Sequence, residues 1–156
     1  MKLLLVRHGE ASFNAPTDAQ RPLTSRGGRL VEQQAQASNI PWVDFECIWA
    51  SPYLRAQQTA KLLQQQLALK NIPIPIETLK VITPHGEPQE VQEFLLQQSQ
   101  QGIILVTHQP LVSGLIGHFC HGDEFLGEPM MPASMALLEG GLAAANCLTL
   151  THLVHP

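Results

Sequence analysis

Three short segments of this chain share one pattern, and that pattern leaves few folds open. Leu3-Leu4-Leu5-Val6 runs into Arg7-His8-Gly9, and Cys47-Ile48-Trp49-Ala50 runs into Ser51-Pro52. Ile103-Ile104-Leu105-Val106 likewise ends in Thr107-His108-Gln109-Pro110. Apolar runs of about four to eight residues, closed by turn residues, read as strands covered on both faces. Helical spacing fills the chain between them. Over residues 52–69, Tyr53, Ala56, Ala60, Leu63 and Leu67 repeat on one face, with Ser51 as the expected N-cap and Pro52 as the first helical residue. Further helices are expected over 90–101, stopped by Gly102, over 110–119, and over 25–38. Residues 76–81 read as a short extended segment, and residues 135–138 and 147–150 as a hairpin around Glu139-Gly140-Gly141. Strands alternating with helices predict an α/β fold. The expectation is one domain over residues 1–156: a three-layer sandwich with a mostly parallel sheet, an antiparallel edge strand and helices on both faces.

Composition narrows the functional classes. The chain has 156 residues, 44% hydrophobic and 14% charged, which is a globular balance able to bury one core. The net charge of −4 argues against nucleic acid as a partner, since backbone phosphates need a surplus of cations. No apolar run approaches the roughly 18 residues of a membrane span, and Arg7-His8 cuts the first run too early for a signal-peptide core. The three cysteines, Cys47, Cys120 and Cys147, form no CxxC pair, so neither a disulfide framework nor a zinc ribbon is expected. The expected setting is cytoplasmic.

In an open α/β sheet the ligand crevice lies beyond the carboxyl ends of the strands. All three strands deliver polar groups there: Arg7 and His8, Ser51 with Arg55 one turn on, and Thr107 with His108. Helices starting near Pro52 and Pro110 aim their positive ends at the same place, which favours an anion. Arginine is scarce, five in all, yet Arg7, Arg55 and Arg21 fall on this rim. Guanidinium forks match a phosphoryl group and can neutralise it without a metal or other cofactor. A histidine in such a clamp can attack phosphorus and form a covalent phosphohistidine. His8, followed by Gly9 as a tight-turning residue, is the better nucleophile, and His108 then serves the equatorial oxygens. Ser51 and Thr107 are candidate substrate-binding groups.

Other residues carry weaker signals. His85, in Thr83-Pro84-His85-Gly86, suits turn chemistry and function equally. His118-Phe119-Cys120-His121 has metal-like residue types but no second ligand pair, and reads as a helix end with a buried thiol. Arg26 and Arg29 read as solvated helix charges. Glu10 is either a general acid or a surface carboxylate.

The blocks Leu5-Val6-Arg7-His8-Gly9-Glu10, Ser51-Pro52-Tyr53-Leu54-Arg55-Ala56-Gln57-Gln58-Thr59-Ala60 and Val106-Thr107-His108 together resemble the histidine phosphatase (phosphoglycerate-mutase-like) superfamily. The resemblance covers nearly the whole chain. It implies His8 as phospho-acceptor in a pocket of Arg7, Arg55 and His108. The compact length and Arg21-Pro22-Leu23-Thr24-x-x-Gly27 are most similar to the bacterial phosphohistidine phosphatases, which implies Arg21 at the pocket rim. Asn14 resembles the small-molecule branch and implies a substrate contact there. Where esterases of the superfamily carry an acidic proton donor, this chain offers Val81, with Glu10 and Glu87 as the carboxylates that could replace it. The expected activity is removal of phosphate from phosphohistidine on a signalling or phosphotransfer protein. The alternatives are a phosphomonoesterase for small metabolites and a catalytically idle phosphoprotein binder.

Overall fold

A computed structural model describes residues 1–156. The apolar runs form β1 (Lys2–Arg7), β2 (Cys47–Ala50) and β4 (Gly102–Thr107). With β3 (Ile76–Thr78), β5 (Met135–Gly140) and β6 (Leu148–Val154) they make one six-stranded sheet in the order β3-β2-β4-β1-β5-β6. The pairings β3–β2, β2–β4 and β4–β1 are parallel. The antiparallel pairings, β1–β5 and β5–β6, are gathered at one edge, where β5 is the reversed strand and β6 closes the sheet.

Side chains alternate between the faces of a strand, so consecutive apolar residues serve two cores. Leu4, Val6, Ile48, Ala50, Ile104 and Val106 face Val31 and Ala35 of α1 (Ser25–Ala37) and Ala56, Ala60, Leu63 and Leu67 of α2 (Leu54–Leu69). Leu3, Leu5, Trp49, Ile103 and Leu105 face Val91 and Leu95 of α3 (Pro88–Leu95) and Leu115, Ile116 and Phe119 of α4 (Leu111–His121). This is why the strands carry no polar alternation: neither face of the central sheet meets water.

Several local expectations need correction. The second helix starts at Leu54, after Ser51-Pro52, because the Ser51 hydroxyl is hydrogen-bonded to His108 Nε2 at 2.7 Å. Its contact with the Tyr53 amide is a long 3.4 Å, and the helix has no side-chain cap. The helix expected over 90–101 runs instead from Pro88 to Leu95, its end capped by the Gln98 amide donating to the Phe94 carbonyl at 3.1 Å. Gly102 opens β4 and stops no helix; a Cβ there would strike the passing Asp44 carbonyl. The segment 76–81 is extended only to Thr78, then tightens into a 3-10 turn over Lys80–Ile82. Gly9 is required by close packing rather than by a left-handed turn, since a Cβ would lie 3.0 Å from the Gly27 carbonyl and from Val31.

Candidate active site

Strand order and register assemble the site. β4 fills the place between β1 and β2, with Val6 opposite Val106 and Ala50 opposite the same Val106. The three strands therefore end flush, and the residues just beyond them meet. The His8 and His108 rings lie 5.0 Å apart between centroids. Arg55, in the first turn of α2, is 4% exposed and donates from Nε to His8 Nε2 at 3.1 Å. Thr59, one turn later, ties this helix to β1: its Oγ1 accepts from the Gly9 amide at 3.1 Å and donates to the Arg55 carbonyl at 2.7 Å.

Hydrogen bonds select the tautomer of His8. Its Nδ1 donates to the Gly9 carbonyl at 2.7 Å, so Nε2 is the lone-pair nitrogen and accepts from Arg55. Burial, partly opposed by the Gly9 carbonyl and reinforced by Arg55, Arg7 and Arg21, pushes the His8 pKa down to about 4. Burial, with His8 and Arg55 as further contributors, pushes His108 down to about 3. Both rings are thus neutral near pH 7, and His8 presents a free base. His108 Nδ1 is buried without a hydrogen-bond partner.

Arg7 donates from Nη1 to the Met130 carbonyl at 2.6 Å, and its buried Nε has no partner. Burial and the nearby Arg55 both lower its pKa. Thr107 is fully buried, and its hydroxyl donates to the Ile82 carbonyl at 2.8 Å. It braces the loop after β3, with no hydroxyl proton left to offer a substrate. Ser51, also fully buried, orients His108.

Arg21 reaches the site's edge, held by the Ser12 carbonyl at 2.9 Å and Asp18 at 3.0 Å, with its guanidinium 4.0 Å over the Phe13 ring. Asn14 lies exposed on the same loop, where its backbone amide bonds Ser12 Oγ; no contact joins its side chain to the histidines. Glu10 is committed elsewhere, accepting from Thr24 Oγ1 at 2.8 Å and Arg26 at 3.0 Å. Glu87 and His85 are exposed on the wall of a neighbouring groove of about 340 Å³, which also contains Phe125. Val81 is half-buried against the α3–α4 core. His118 is hydrogen-bonded to Gln92 at 2.9 Å, and no group of three His, Cys, Asp or Glu side chains is set to hold a metal.

Asp18 belongs to the site although nothing in its sequence context marks it. The segment between β1 and α1 folds back on itself, bridging Ala11 to Leu23, and carries Asp18 across to α2. There its carbonyl accepts from Arg55 Nη1 at 2.6 Å and its carboxylate from Nη2 at 3.2 Å. Partial burial alone would raise the Asp18 pKa, but hydrogen bonds from Arg21 and Arg55 outweigh it and hold the carboxyl below its ordinary value. Tyr53, which the helical spacing places only on the apolar face of α2, also joins the site: its ring stands edge-on to His108 at 5.0 Å.

Residues 3–80 match the family model of the histidine phosphatase superfamily, branch 1. The phosphohistidine phosphatase SixA of Escherichia coli K12 is 31% identical over 153 residues, covering 94% of this chain and 91% of that protein. A SixA homolog of Haemophilus influenzae is 32% identical over 126 residues, 74% of this chain and 75% of that one. The solved structure of the protein histidine phosphatase SixA complexed with tungstate superposes with a TM-score of 0.83 at 25% identity, covering 98% and 96% of the two chains. A fold shared from end to end, and a relative alike over nearly the whole length, lead to one statement: this chain belongs to branch 1 of the histidine phosphatase superfamily.

Proposed function

We propose that this phosphatase hydrolyses phosphohistidine on a phosphotransfer domain or carrier protein, through a covalent phosphohistidine on His8 and without a metal. One observation carries the choice of substrate: Asp18, the carboxyl bonded into the site, is an ion-paired carboxylate with a lowered pKa. A general acid must hold a proton at working pH, and Asp18 does not. An ester would release an alkoxide, which needs that proton. Phosphohistidine releases imidazole, whose nitrogen is protonated easily at its reference pKa of about 6.5. The relatives named SixA support the same reading.

The proposed reaction begins with Arg55 leaving His8 Nε2 and Asp18 for the incoming phosphoryl oxygens. Exchange of one charge-assisted acceptor for another costs little and uncovers the nucleophile. His8 Nε2 attacks phosphorus and the N–P bond of the substrate breaks, its electron pair leaving with an imidazole already protonated by solvent on its other nitrogen. The His8 proton stays on Nδ1, hydrogen-bonded to the Gly9 carbonyl. Arg7 and Arg55 spread the charge of the equatorial oxygens, and His108 Nδ1 donates a further hydrogen bond to them when it carries a ring proton. Water then attacks the phosphorylated His8 and releases orthophosphate. The positive charge of buried Arg55 and half-buried Arg7 fills the place a metal would take. A cytoplasmic setting, where phosphotransfer proteins of bacterial signalling operate, is part of the proposal.

The test is a comparison of kcat/KM on phosphohistidine protein and on a panel of sugar and glycerate phosphates, in EDTA. The phosphohistidine value should exceed the others by the roughly 10²-fold that one general acid contributes. Efficient ester hydrolysis lost specifically in Glu87→Gln would establish the small-molecule reading instead. Absence of turnover on every substrate, with phosphoprotein binding retained, would leave the idle binder.

A further inference from the structure

We propose that His155 is a positioning residue for this site, acting through the strained turn that fixes Arg7 and His8. The inference rests on His8 being the nucleophile, but its structural half stands independently. The turn over residues 130–134 wraps the end of β1. Its Met130 carbonyl takes the Arg7 guanidinium, its Ala133 amide donates to both the Arg7 and His8 carbonyls (3.2 and 3.1 Å), and its Ser134 carbonyl accepts from the Arg7 amide. Four contacts on two consecutive residues thus come from one five-residue turn, and they hold both the main chain and the side chain of the phosphate-site pair.

This turn is under strain. Ala133 has φ +64°, a left-handed conformation that a Cβ disfavours. Such a conformation persists only where the surroundings impose it. One of the constraints reaches the turn from outside: the fully buried Ser134 hydroxyl is hydrogen-bonded to His155 Nδ1 at 2.6 Å. His155 stands one residue beyond β6, exposed to solvent and on the far side of β5 from β1. It touches neither histidine of the site. The edge strand therefore ends in a side chain whose contact locks the turn that aims the nucleophile.

Loss of this lock should misalign His8 without removing any group that binds phosphate, because both arginines and His108 remain. The effect belongs on kcat, where attack geometry matters, and little on KM. The substrate for the test is a histidine peptide phosphorylated with phosphoramidate. His155→Ala and Ser134→Ala should each lower kcat by roughly three- to tenfold, the size of one net hydrogen bond, with KM within about twofold. The double variant should be no worse than either single one, since both remove the same contact. His155→Asn, which keeps a polar atom near the Nδ1 position, should recover most of kcat. A second readout needs no turnover: amide exchange at Arg7 and Ala133 should quicken in both alanine variants and return in His155→Asn, while amides of α3 stay unchanged.

Unchanged kcat in His155→Ala, additive losses in the double variant, or His155→Asn behaving as His155→Ala would each overturn the proposal. A wild-type protein that leaves the peptide intact would sink the phosphohistidine reading alone. The exchange measurement would then still decide whether His155 locks the turn.

Discussion

A neutral imidazole with its lone pair under a guanidinium stays covered until a better acceptor arrives, which suits the role of nucleophile proposed for His8. The Nδ1–Gly9 hydrogen bond aims Nε2 of His8 at Arg55, and Arg55 divides its donors between that nitrogen and Asp18. Two consequences are measurable at this scale. With His8 as phospho-acceptor, rapid quenching should trap phosphate on the protein in an acid-labile, alkali-stable linkage. His8→Ala should abolish both trap and turnover, and Arg55→Ala should reduce kcat/KM by about a hundredfold or more. Persistence of the trapped phosphate in His8→Ala would reassign the nucleophile. The second consequence concerns competition for Arg55. The Asp18 carboxylate is more than half exposed, so its pairing is weak, in the range of about 0.2–1 kcal/mol. Asp18→Asn should therefore tighten inhibition by orthophosphate by about two- to fivefold, read from the product inhibition constant. Weaker inhibition would mean that Asp18 holds Arg55 in place for phosphate rather than competing with it.

At the scale of elements, α2 is joined to the residues just after β1 by one buried hydroxyl as well as by the Arg55–His8 contact. Thr59 is fully buried and satisfies one backbone donor and one backbone acceptor, the Gly9 amide and the Arg55 carbonyl. Thr59→Val has nearly the same shape but strands the Gly9 amide away from water, while the Arg55 carbonyl keeps its helical amide partner. It should cost about 1–3 kcal/mol in a denaturant melt for a stranded buried group, and lower activity as Arg55 loses its register with His8. Thr59→Ser should restore most of both. Equal stability of the valine variant would show that water or a backbone shift repairs the gap. The loop carrying Asp18 follows a different rule. It is tied by backbone pairing, Ser12 to Pro22 and Glu10 to Thr24, so its position depends on chain geometry more than on side-chain identity.

For the whole molecule, burying two histidines in one crevice makes folding stability depend on pH. Both rings have folded pKa values far below their ordinary 6.5, about 4 for His8 and about 3 for His108. The unfolded chain therefore binds protons in a range where the folded protein does not, and stability rises with pH across it. That contribution is complete above about pH 6.5 and shrinks as pH falls towards 4 and then 3. Chemical denaturation midpoints should fall steadily over this window. A His8→Gln, His108→Gln double variant should show a flatter decline. An identical slope in that variant would place the acid sensitivity in other groups.

The apolar runs ending in Arg7-His8, Ser51 and Thr107-His108 were sufficient for the α/β layering and for four of the site's groups. The reason is local: a strand covered on both faces must be apolar throughout, and polar residues at its end mark the crevice. Helix bounds were less legible where a side chain had two claimants. Ser51 reads as a cap by itself, and only the neighbouring strand brings the His108 that takes its hydroxyl. Thr107 looks like a ligand group until the loop after β3 presents the Ile82 carbonyl. Asp18, Thr59, Ala133 and His155 act through partners 21 to 126 residues distant for reasons no local pattern records: a folded-back loop, a helix turn and a strained bend meet only once strand order is set. Sequence alone determined which chemistry stands at the strand ends. Tertiary structure decided which of those groups are free to perform it, because a hydrogen-bonding group's availability depends on every other group packed within reach.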